Sequence, residues 1–191
     1  MTHLISATSQ DSPDRSRRRF AGALGTLLAA PALILSRHAP ASTAPSRTLR
    51  FEHTHTGEKL AVTYTAGARY VPSALLEIDR FLRDFRTGEV HAIDPELLDQ
   101  LHQLATVTGS SAPFEVISGY RSAATNTVLR THGTGVASQS LHRDGRAIDI
   151  RLADVSIADL RDAAVSLRAG GVGFYPDSKF VHVDTGRVRR W

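Results

Sequence analysis

The 191-residue sequence predicts an α+β domain in which a small antiparallel sheet has helices packed beside it. Three patterns support this class: strand-like runs on both sides of Thr56-Gly57-Glu58, amphipathic segments with apolar residues at helical spacing, and short alternating runs after them. A hydrophobic content of 41% is typical of a globular chain, and the length suits one core plus an appendage. Cysteine is absent, which excludes disulfide bonds and thiolate metal sites.

Two helices are predicted in the first half of the domain. Pro72 opens the first helix, with Ser73 as its cap, and Gly88 ends it. Asp94 and Pro95 open the second helix as its N-cap and first helical residue. Both segments carry an apolar stripe, so both are expected to pack against the sheet.

The second half of the domain predicts strands separated by short helices. A strand at residues 114–118 leads into Gly119-Tyr120-Arg121, where a scaffold presents a side chain to a cleft. A brief helix is expected near residues 125–130, and a crossover helix at residues 156–167. The chain then turns into a last strand at residues 180–184.

The first 41 residues differ in kind from the rest. Paired arginines before Phe20 precede an apolar run at residues 21–35, and Ala39-Pro40-Ala41 offers small residues for cleavage. This order predicts a twin-arginine-type signal peptide, and therefore export to the periplasm or cell envelope. A permanent membrane anchor is the alternative, but a bilayer needs about twenty apolar residues. We expect no stable membrane insertion after the signal is removed.

The remaining chain is divided into a linker at residues 42–48 and a single domain at residues 49–191. Five of the 23 Lys and Arg residues and two of the 19 Asp and Glu residues precede Ser42. The remainder therefore holds 18 basic and 17 acidic residues, and this near balance gives no support to nucleic-acid binding.

A turn signal lies inside the segment that carries the first candidate metal ligands. Asp144-Gly145 predicts a type I′ turn that closes a two-residue hairpin. Such a hairpin places His142 opposite Ala147, with Asp149 diagonally across on the same face.

The last strand supplies a third candidate ligand. Alternation with Val181 and Val183 places His182 and Asp184 on one face of the strand. Two histidines and a carboxylate are a set that suits a catalytic zinc ion with one position left for water. Taken singly, each histidine is also compatible with an ordinary turn or strand position.

The spacing Ser140-x-His142-x-x-Gly145-x-Ala147-x-Asp149, followed by His182-x-Asp184, resembles the zinc D-Ala-D-Ala peptidase superfamily, which includes hedgehog-like folds. Within it, the sequence is similar to the MepK-type murein endopeptidases. The similarity extends over residues 81–90, 118–122 and 173–191. It implies a hedgehog-like domain and a zinc hydrolase that cleaves peptide cross-links between peptidoglycan stem peptides.

The resemblance also implies roles for individual residues. His142, Asp149 and His182 match the ligands of a single zinc ion, and Arg121 matches the basic residue that steadies the scissile carbonyl. Many superfamily members carry a glutamate base three residues before the last histidine, where this chain has Lys179.

Asp184 is our substitute candidate for the base. Ser140 matches a residue that binds a substrate carboxylate, and Gln139, Tyr120 and Tyr175 are further candidates for lining the groove.

Two other functions stay open at this point. A D-Ala carboxypeptidase would need a closed pocket that ends in a cation. A non-catalytic, zinc-stabilised peptidoglycan-binding module would be consistent with Lys179 at the usual glutamate position.

Overall fold

The structure is a computed structural model that describes residues 44–132 and 139–191. The predicted signal peptide and the first two residues of the predicted linker lie outside this range, so the predicted domain boundaries stay predictions. No helix within the described residues has the length and apolar character needed to cross a membrane. The strands are β1 Thr48–His53, β2 Lys59–Thr63, β3 Thr65–Ala66, β4 Arg69–Tyr70, β5 Phe114–Ser118, β6 Ala147–Arg151, β7 Gly171–Tyr175, β8 Phe180–Asp184 and β9 Arg189–Arg190. The α-helices are α1 Pro72–Phe81, α2 Pro95–Thr108, α3 Ala123–His132 and α4 Ile157–Leu167.

Seven strands form one sheet in the order β2-β1-β5-β6-β8-β7-β9, and β3 pairs with β4 separately. Most neighbours are antiparallel, but β1 runs parallel to β5 and β7 runs parallel to β9. The α+β class is confirmed. The sheet is mixed because two pairs of parallel neighbours are separated in the chain by other elements. Helices α1 and α2 lie between β1 and β5, and strand β8 lies between β7 and β9.

The core lies between the helices and one face of the sheet. Its buried members come from helices α1, α2 and α4 and from the strands of the large sheet, and include Phe51, Ile78, Leu97, Leu98, Leu101, Leu104, Phe114, Ile148, Ile150, Leu160, Val172, Val181 and Val183. The helical stripes predicted from the sequence therefore pack where expected.

Helix α2 matches its prediction, whereas α1 is shorter than predicted. The Asp94 side chain accepts a hydrogen bond from the Glu96 backbone at the start of α2. Helix α1 is capped by Val71 without a side-chain bond, so the capping role of Ser73 is wrong. Its end comes near Leu82, whose carbonyl accepts the backbone N–H of Tyr120 at 2.8 Å. Because the Leu82 carbonyl accepts this long-range bond, it is not used for a helical hydrogen bond. A local sequence pattern does not reveal such a contact.

The predicted hairpin at Asp144-Gly145 is wrong. Residues Leu141–Asp144 form one 3-10 turn, and Gly145 follows it with a φ of 66°. A type I′ turn requires positive φ at both central residues, and Asp144 is not among the described residues with positive φ. The Asp-Gly pair instead ends the turn before β6, which pairs with β5 and β8 rather than folding back onto His142.

Candidate metal centre

Two of the predicted ligands are neighbours because of strand register. Ser118 of β5 pairs with Asp149 of β6, and Asp149 pairs with His182 of β8. Gly173 of β7 continues this row on the other side of His182. Paired residues in a sheet point to the same face, so the carboxylate and the imidazole meet on the face opposite the apolar core.

The third predicted ligand reaches the site from the 3-10 turn. The Nδ1 atom of His142 lies 2.7 Å from the Gly119 carbonyl oxygen, to which it donates a hydrogen bond. The His142 carbonyl accepts the backbone N–H of Arg121 at 3.1 Å. These two contacts tie the turn to the end of β5 and aim the other ring nitrogen at the sheet.

Three ligand atoms converge on one point. The Oδ1 atom of Asp149 lies 3.2 Å from Nε2 of His142 and 2.9 Å from Nδ1 of His182. The two nitrogens are 3.1 Å apart, and all three side chains are buried. Ligands about 2.0–2.1 Å from a tetrahedral zinc ion lie about 3.3 Å from one another, so the separations fit that ion.

The surrounding hydrogen bonds also fit a metal. The outer nitrogens of the two rings donate to the Gly119 carbonyl and, at 3.0 Å, to Oδ2 of Asp184. With those protons committed, both inner nitrogens point towards Asp149. Burial would lower the pKa of His182, but hydrogen bonds to Asp149 and Asp184 raise it. The space between the three atoms therefore suits a cation, either a proton on His182 or a metal ion.

Electrostatics keep the central carboxylate ionised. Burial alone would raise the pKa of Asp149, but His142, His182 and the Arg121 guanidinium hold it well below its usual range. An ionised carboxylate and two imidazoles are the ligands that zinc accepts in catalytic sites. Among residues 44–132 and 139–191, this is the group of three side chains that could hold a metal ion.

Arg121 contacts the candidate metal centre through Asp149, one of the three candidate ligands. Its guanidinium donates to the second carboxylate oxygen of Asp149, and its Nε donates to Oγ of Ser118 at 2.9 Å. The side chain is only 13% exposed. The structure thus brings Arg121 to the metal centre, and its contact with a substrate carbonyl stays a prediction.

Asp184 is completely buried beside the third ligand. Its Oδ1 accepts the backbone N–H groups of Gly171 and Gly186 at 3.0 and 2.8 Å. Arg189 donates to both oxygens, at 3.0 and 2.8 Å, and His182 donates to Oδ2. Burial would raise the pKa of Asp184, but these donors hold it well below its usual range. With both oxygens occupied, the geometry favours a supporting role, and the base role stays a prediction.

Lys179, at the position where many superfamily members carry a glutamate base, lies outside the polar face. Lys179 is exposed and has a φ of 55° in the turn that joins β7 to β8. It is a turn residue that precedes the strand rather than part of the polar face.

The predicted groove residues lie in different surroundings. Ser140 is half-buried directly before the 3-10 turn, and Gln139 is exposed. Tyr120 is 7% exposed and donates to a carboxylate oxygen of Glu89 at 2.6 Å, while its ring stacks on His91. Burial and the Glu89 hydrogen bond raise the pKa of Tyr120 to about 12. Its hydroxyl is therefore engaged within the protein.

Tyr175 belongs to an aromatic group beside His182. Its hydroxyl accepts the indole N–H of Trp191 at 2.9 Å, and its ring stacks on Phe180. The Trp191 ring centroid lies 5.3 Å from that of His182, and Trp191 is 51% exposed. Tyr175 and Trp191 thus form an aromatic surface at the metal centre.

Sequence reasoning did not assign a role to Arg189 or Trp191. The spacing Arg189-x-Trp191 is typical of a strand with both residues on one face, and this pattern is the signal in the sequence that points to them. The parallel pairing of β9 with β7 places these residues near His182, and no short-range pattern encodes that pairing.

Comparisons with known proteins identify the family of the chain. The M15 peptidase family model described as "Peptidoglycan L,D-endopeptidase MepK" matches residues 41–191. The chain is 40% identical over 181 residues to the Escherichia coli K12 protein named peptidoglycan L,D-endopeptidase MepK, covering 95% of this chain and all of that one.

A Haemophilus influenzae protein named probable peptidoglycan L,D-endopeptidase MepK is 41% identical over 179 residues, covering 93% of this chain and 96% of that one. No solved structure is a significant match. A family match over most of the chain and the convergent His-Asp-His group lead to one conclusion: the chain belongs to the MepK family of M15 peptidases.

Proposed function

We propose that this protein is a zinc-dependent peptidoglycan L,D-endopeptidase that hydrolyses peptide cross-links between stem peptides. The observation that carries the proposal is the meeting of Nε2 of His142, Nδ1 of His182 and Oδ1 of Asp149 within 2.9–3.2 Å of one another. The relatives named peptidoglycan L,D-endopeptidase support the substrate class.

Three protein ligands would hold one zinc ion and leave a coordination position for water or substrate. When bound, such an ion supplies Lewis acidity for the attack of water on an amide. The roles of the chain's own residues follow from their contacts. The Gly119 carbonyl and Asp184 accept bonds from the outer nitrogens of His142 and His182, which directs the inner nitrogens at the metal position, and Asp149 stays ionised because of the groups that surround it.

Arg121 would act on the charge that develops at the scissile carbonyl. Two of its nitrogens are committed to Asp149 and Ser118, which fixes the plane of the guanidinium beside the ligands. A planar donor held in place stabilises an oxyanion without reorganising during the reaction.

The substrate would lie across the exposed side of this centre. Tyr175 and Trp191 offer an aromatic surface on the side of His182. Ser140 and Gln139 lie on the side of the 3-10 turn, where we propose that Ser140 binds a substrate carboxylate. Tyr120 is buried and would contribute indirectly, because its hydroxyl and its ring hold Glu89 and His91 in place.

The proposed substrate requires export. We propose that residues 1–41 are a twin-arginine-type signal peptide and that residues 42–48 link it to the catalytic domain. A protein that crosses the membrane folded would arrive in the periplasm or cell envelope with its metal site already formed.

A digest of purified sacculi by residues 42–191 tests the proposal. We expect cross-linked dimers to become monomers, activity to disappear with a chelator, and zinc to restore it. His142→Ala should produce no fragments, because it removes one of the three converging atoms.

Other results of the same digest would replace the proposal. Release of D-Ala alone would identify a carboxypeptidase. Binding of zinc and sacculi without new fragments would identify a non-catalytic module, which is the candidate favoured by the fully occupied Asp184 carboxylate and the exposed Lys179.

A further inference from the structure

We propose that Arg189 is a positioning residue of the metal centre, because it holds Asp184 in the place where that carboxylate fixes the orientation of the His182 ring. This inference rests on the metal site of the proposed function. It assigns a role in metal binding to β9, a two-residue strand at the edge of the sheet.

A second row of neighbouring residues lies on the polar face of the sheet. Asp184 of β8 pairs with Ala147, and Arg189 of β9 pairs with Gly171 of β7. This row runs beside the row that contains Asp149 and His182. Arg189 is therefore placed on the same face as the ligands, although it comes from the far edge of the sheet.

Arg189 and Asp184 form an ion pair through two hydrogen bonds. Nη1 of Arg189 lies 3.0 Å from Oδ1 of Asp184, and Nη2 lies 2.8 Å from Oδ2. Two parallel bonds fix both the distance and the plane of the carboxylate. The carboxylate is fully buried and the guanidinium is 32% exposed, so this bidentate pair differs from a surface ion pair in which both groups are solvated.

Gly171 leaves the space that this ion pair occupies. A Cβ atom at this position would lie 2.5 Å from Oδ2 of Asp184, and closer still to Nη1 of Arg189. Any side chain here would push the ion pair out of place. The backbone N–H of Gly171 also donates to Asp184, so the strand surface is shaped around the pair.

Asp184 connects the ion pair to the candidate ligand His182. Oδ2 of Asp184 accepts the Nε2 proton of His182 at 3.0 Å, which leaves Nδ1 free to face Asp149. Groups that hold a ligand in this way contribute to metal affinity, and their removal weakens binding by about 10–100-fold. Without Arg189, the buried carboxylate would lose its two-pronged contact with the guanidinium and would be held against His182 only by two backbone amides and the His182 bond itself.

The test is the zinc affinity of full-length variants, measured by competition with a chromophoric chelator. Arg189→Gln is expected to weaken zinc binding by about 10–100-fold. Arg190→Gln is the matched control, because it removes the same charge from the same strand. Arg190 lines a cavity with Arg161 and Phe174 on the other face, so its variant should stay within about twofold of the parent.

Two further variants separate positioning from folding. Arg189→Lys keeps the charge but not the two-pronged geometry, and should bind zinc with intermediate affinity. Gly171→Ala keeps every charge and should weaken zinc binding by displacing the pair. The d–d absorption spectrum of the cobalt-loaded protein should also change in Arg189→Gln and Gly171→Ala, but not in Arg190→Gln.

The outcomes are decisive in either direction. Equal zinc affinity and equal cobalt spectra in Arg189→Gln and Arg190→Gln would overturn the inference. If Arg189→Gln does not fold, the inference stands or falls with the zinc affinity of Arg189→Lys and Gly171→Ala. A chain that cleaves no peptidoglycan but loses zinc affinity in these variants would refute the proposed function and leave this inference intact.

Discussion

The two faces of strands β6 and β8 have opposite characters. One face carries Ile148, Ile150, Val181 and Val183, all of which belong to the apolar core. The other face carries Asp149, His182 and Asp184, which are equally buried but are all hydrogen-bonded. Alternation along ten residues thus supplies a core and a candidate metal centre at the same time.

The difference shows how each face tolerates substitution. On the apolar face, a side chain contributes through the area it buries, and its loss lowers stability wherever the gap cannot close. On the polar face, a side chain contributes through specific partners, and its loss leaves those partners unsatisfied. We therefore expect metal binding and stability to respond to changes on different faces.

The largest effect is expected for His182→Ala on the polar face. The variant lacks one of three converging ligand atoms, so zinc content and hydrolysis of sacculi should both fall to background. Zinc is measured by inductively coupled plasma mass spectrometry on the purified protein. His102→Ala, on helix α2, is the matched control and should retain one zinc ion. Full zinc occupancy in His182→Ala would contradict the ligand assignment.

On the apolar face, Ile150→Ala should lower the free energy of unfolding by about 3 kcal/mol, because it leaves a cavity at a fully buried position. The folded fraction should still bind one zinc ion. Urea denaturation gives the stability, and Val107→Ala at an exposed helical position should change it by less than about 0.5 kcal/mol. If Ile150→Ala lost its zinc but kept its stability, the expected difference between the two faces would be contradicted.

Arg121→Lys tests the boundary between ligand support and catalysis. Lysine keeps a positive charge near Asp149 but cannot bond Asp149 and Ser118 in one plane. We expect kcat/KM on a cross-linked muropeptide to fall about hundredfold while zinc stays bound. An unchanged kcat/KM would exclude Arg121 from carbonyl stabilisation.

The smallest effect concerns a buried carboxylate away from this face. Burial would raise the pKa of Asp84, but hydrogen bonds from Thr125, Ser122 and the Arg86 backbone lower it to about 2. Because the folded pKa lies below the unfolded value of about 4, Asp84 stabilises the protein above pH 4. That contribution should disappear as the pH falls from about 4 to about 2.

Asp84→Asn provides the comparison for this pH dependence. The variant should be less stable than the parent at neutral pH and should approach it in stability below about pH 2. Thermal unfolding across this pH range gives the difference. A constant difference between the two proteins would show that Asp84 has an ordinary pKa. Zinc binding at neutral pH should stay stoichiometric, because no described contact joins Asp84 to a ligand.

Local patterns predicted the fold class, helix α2, strand β8 and the three converging residues. Alternation in Phe180–Asp184 was sufficient to place His182 and Asp184 on one face, since side chains in a strand point to alternate sides. The route by which His142 joins them was wrong. Asp-Gly is compatible with a hairpin turn and equally with a glycine that ends a 3-10 turn.

The contacts that support the candidate metal centre could not be predicted from the sequence, for physical reasons. The parallel pairing of β7 with β9 depends on a chain reversal around β8, which leaves no periodic trace in the sequence. The saturation of Asp184 by Arg189 and two backbone amides appears only when three segments are brought together. The end of α1 was missed for the same reason, because Tyr120 claims the Leu82 carbonyl.

The rows across the polar face make the site sensitive to strand alignment. Since successive residues of a strand point to opposite sides, a slip of one residue in β8 would bury His182 in the core and turn a valine towards Asp149. A slip in β9 would turn Arg189 away from Asp184. If the site binds zinc as proposed, zinc affinity reports whether strands β6 to β9 are aligned, and the ion stabilises only those chains in which this part of the sheet has been assembled correctly.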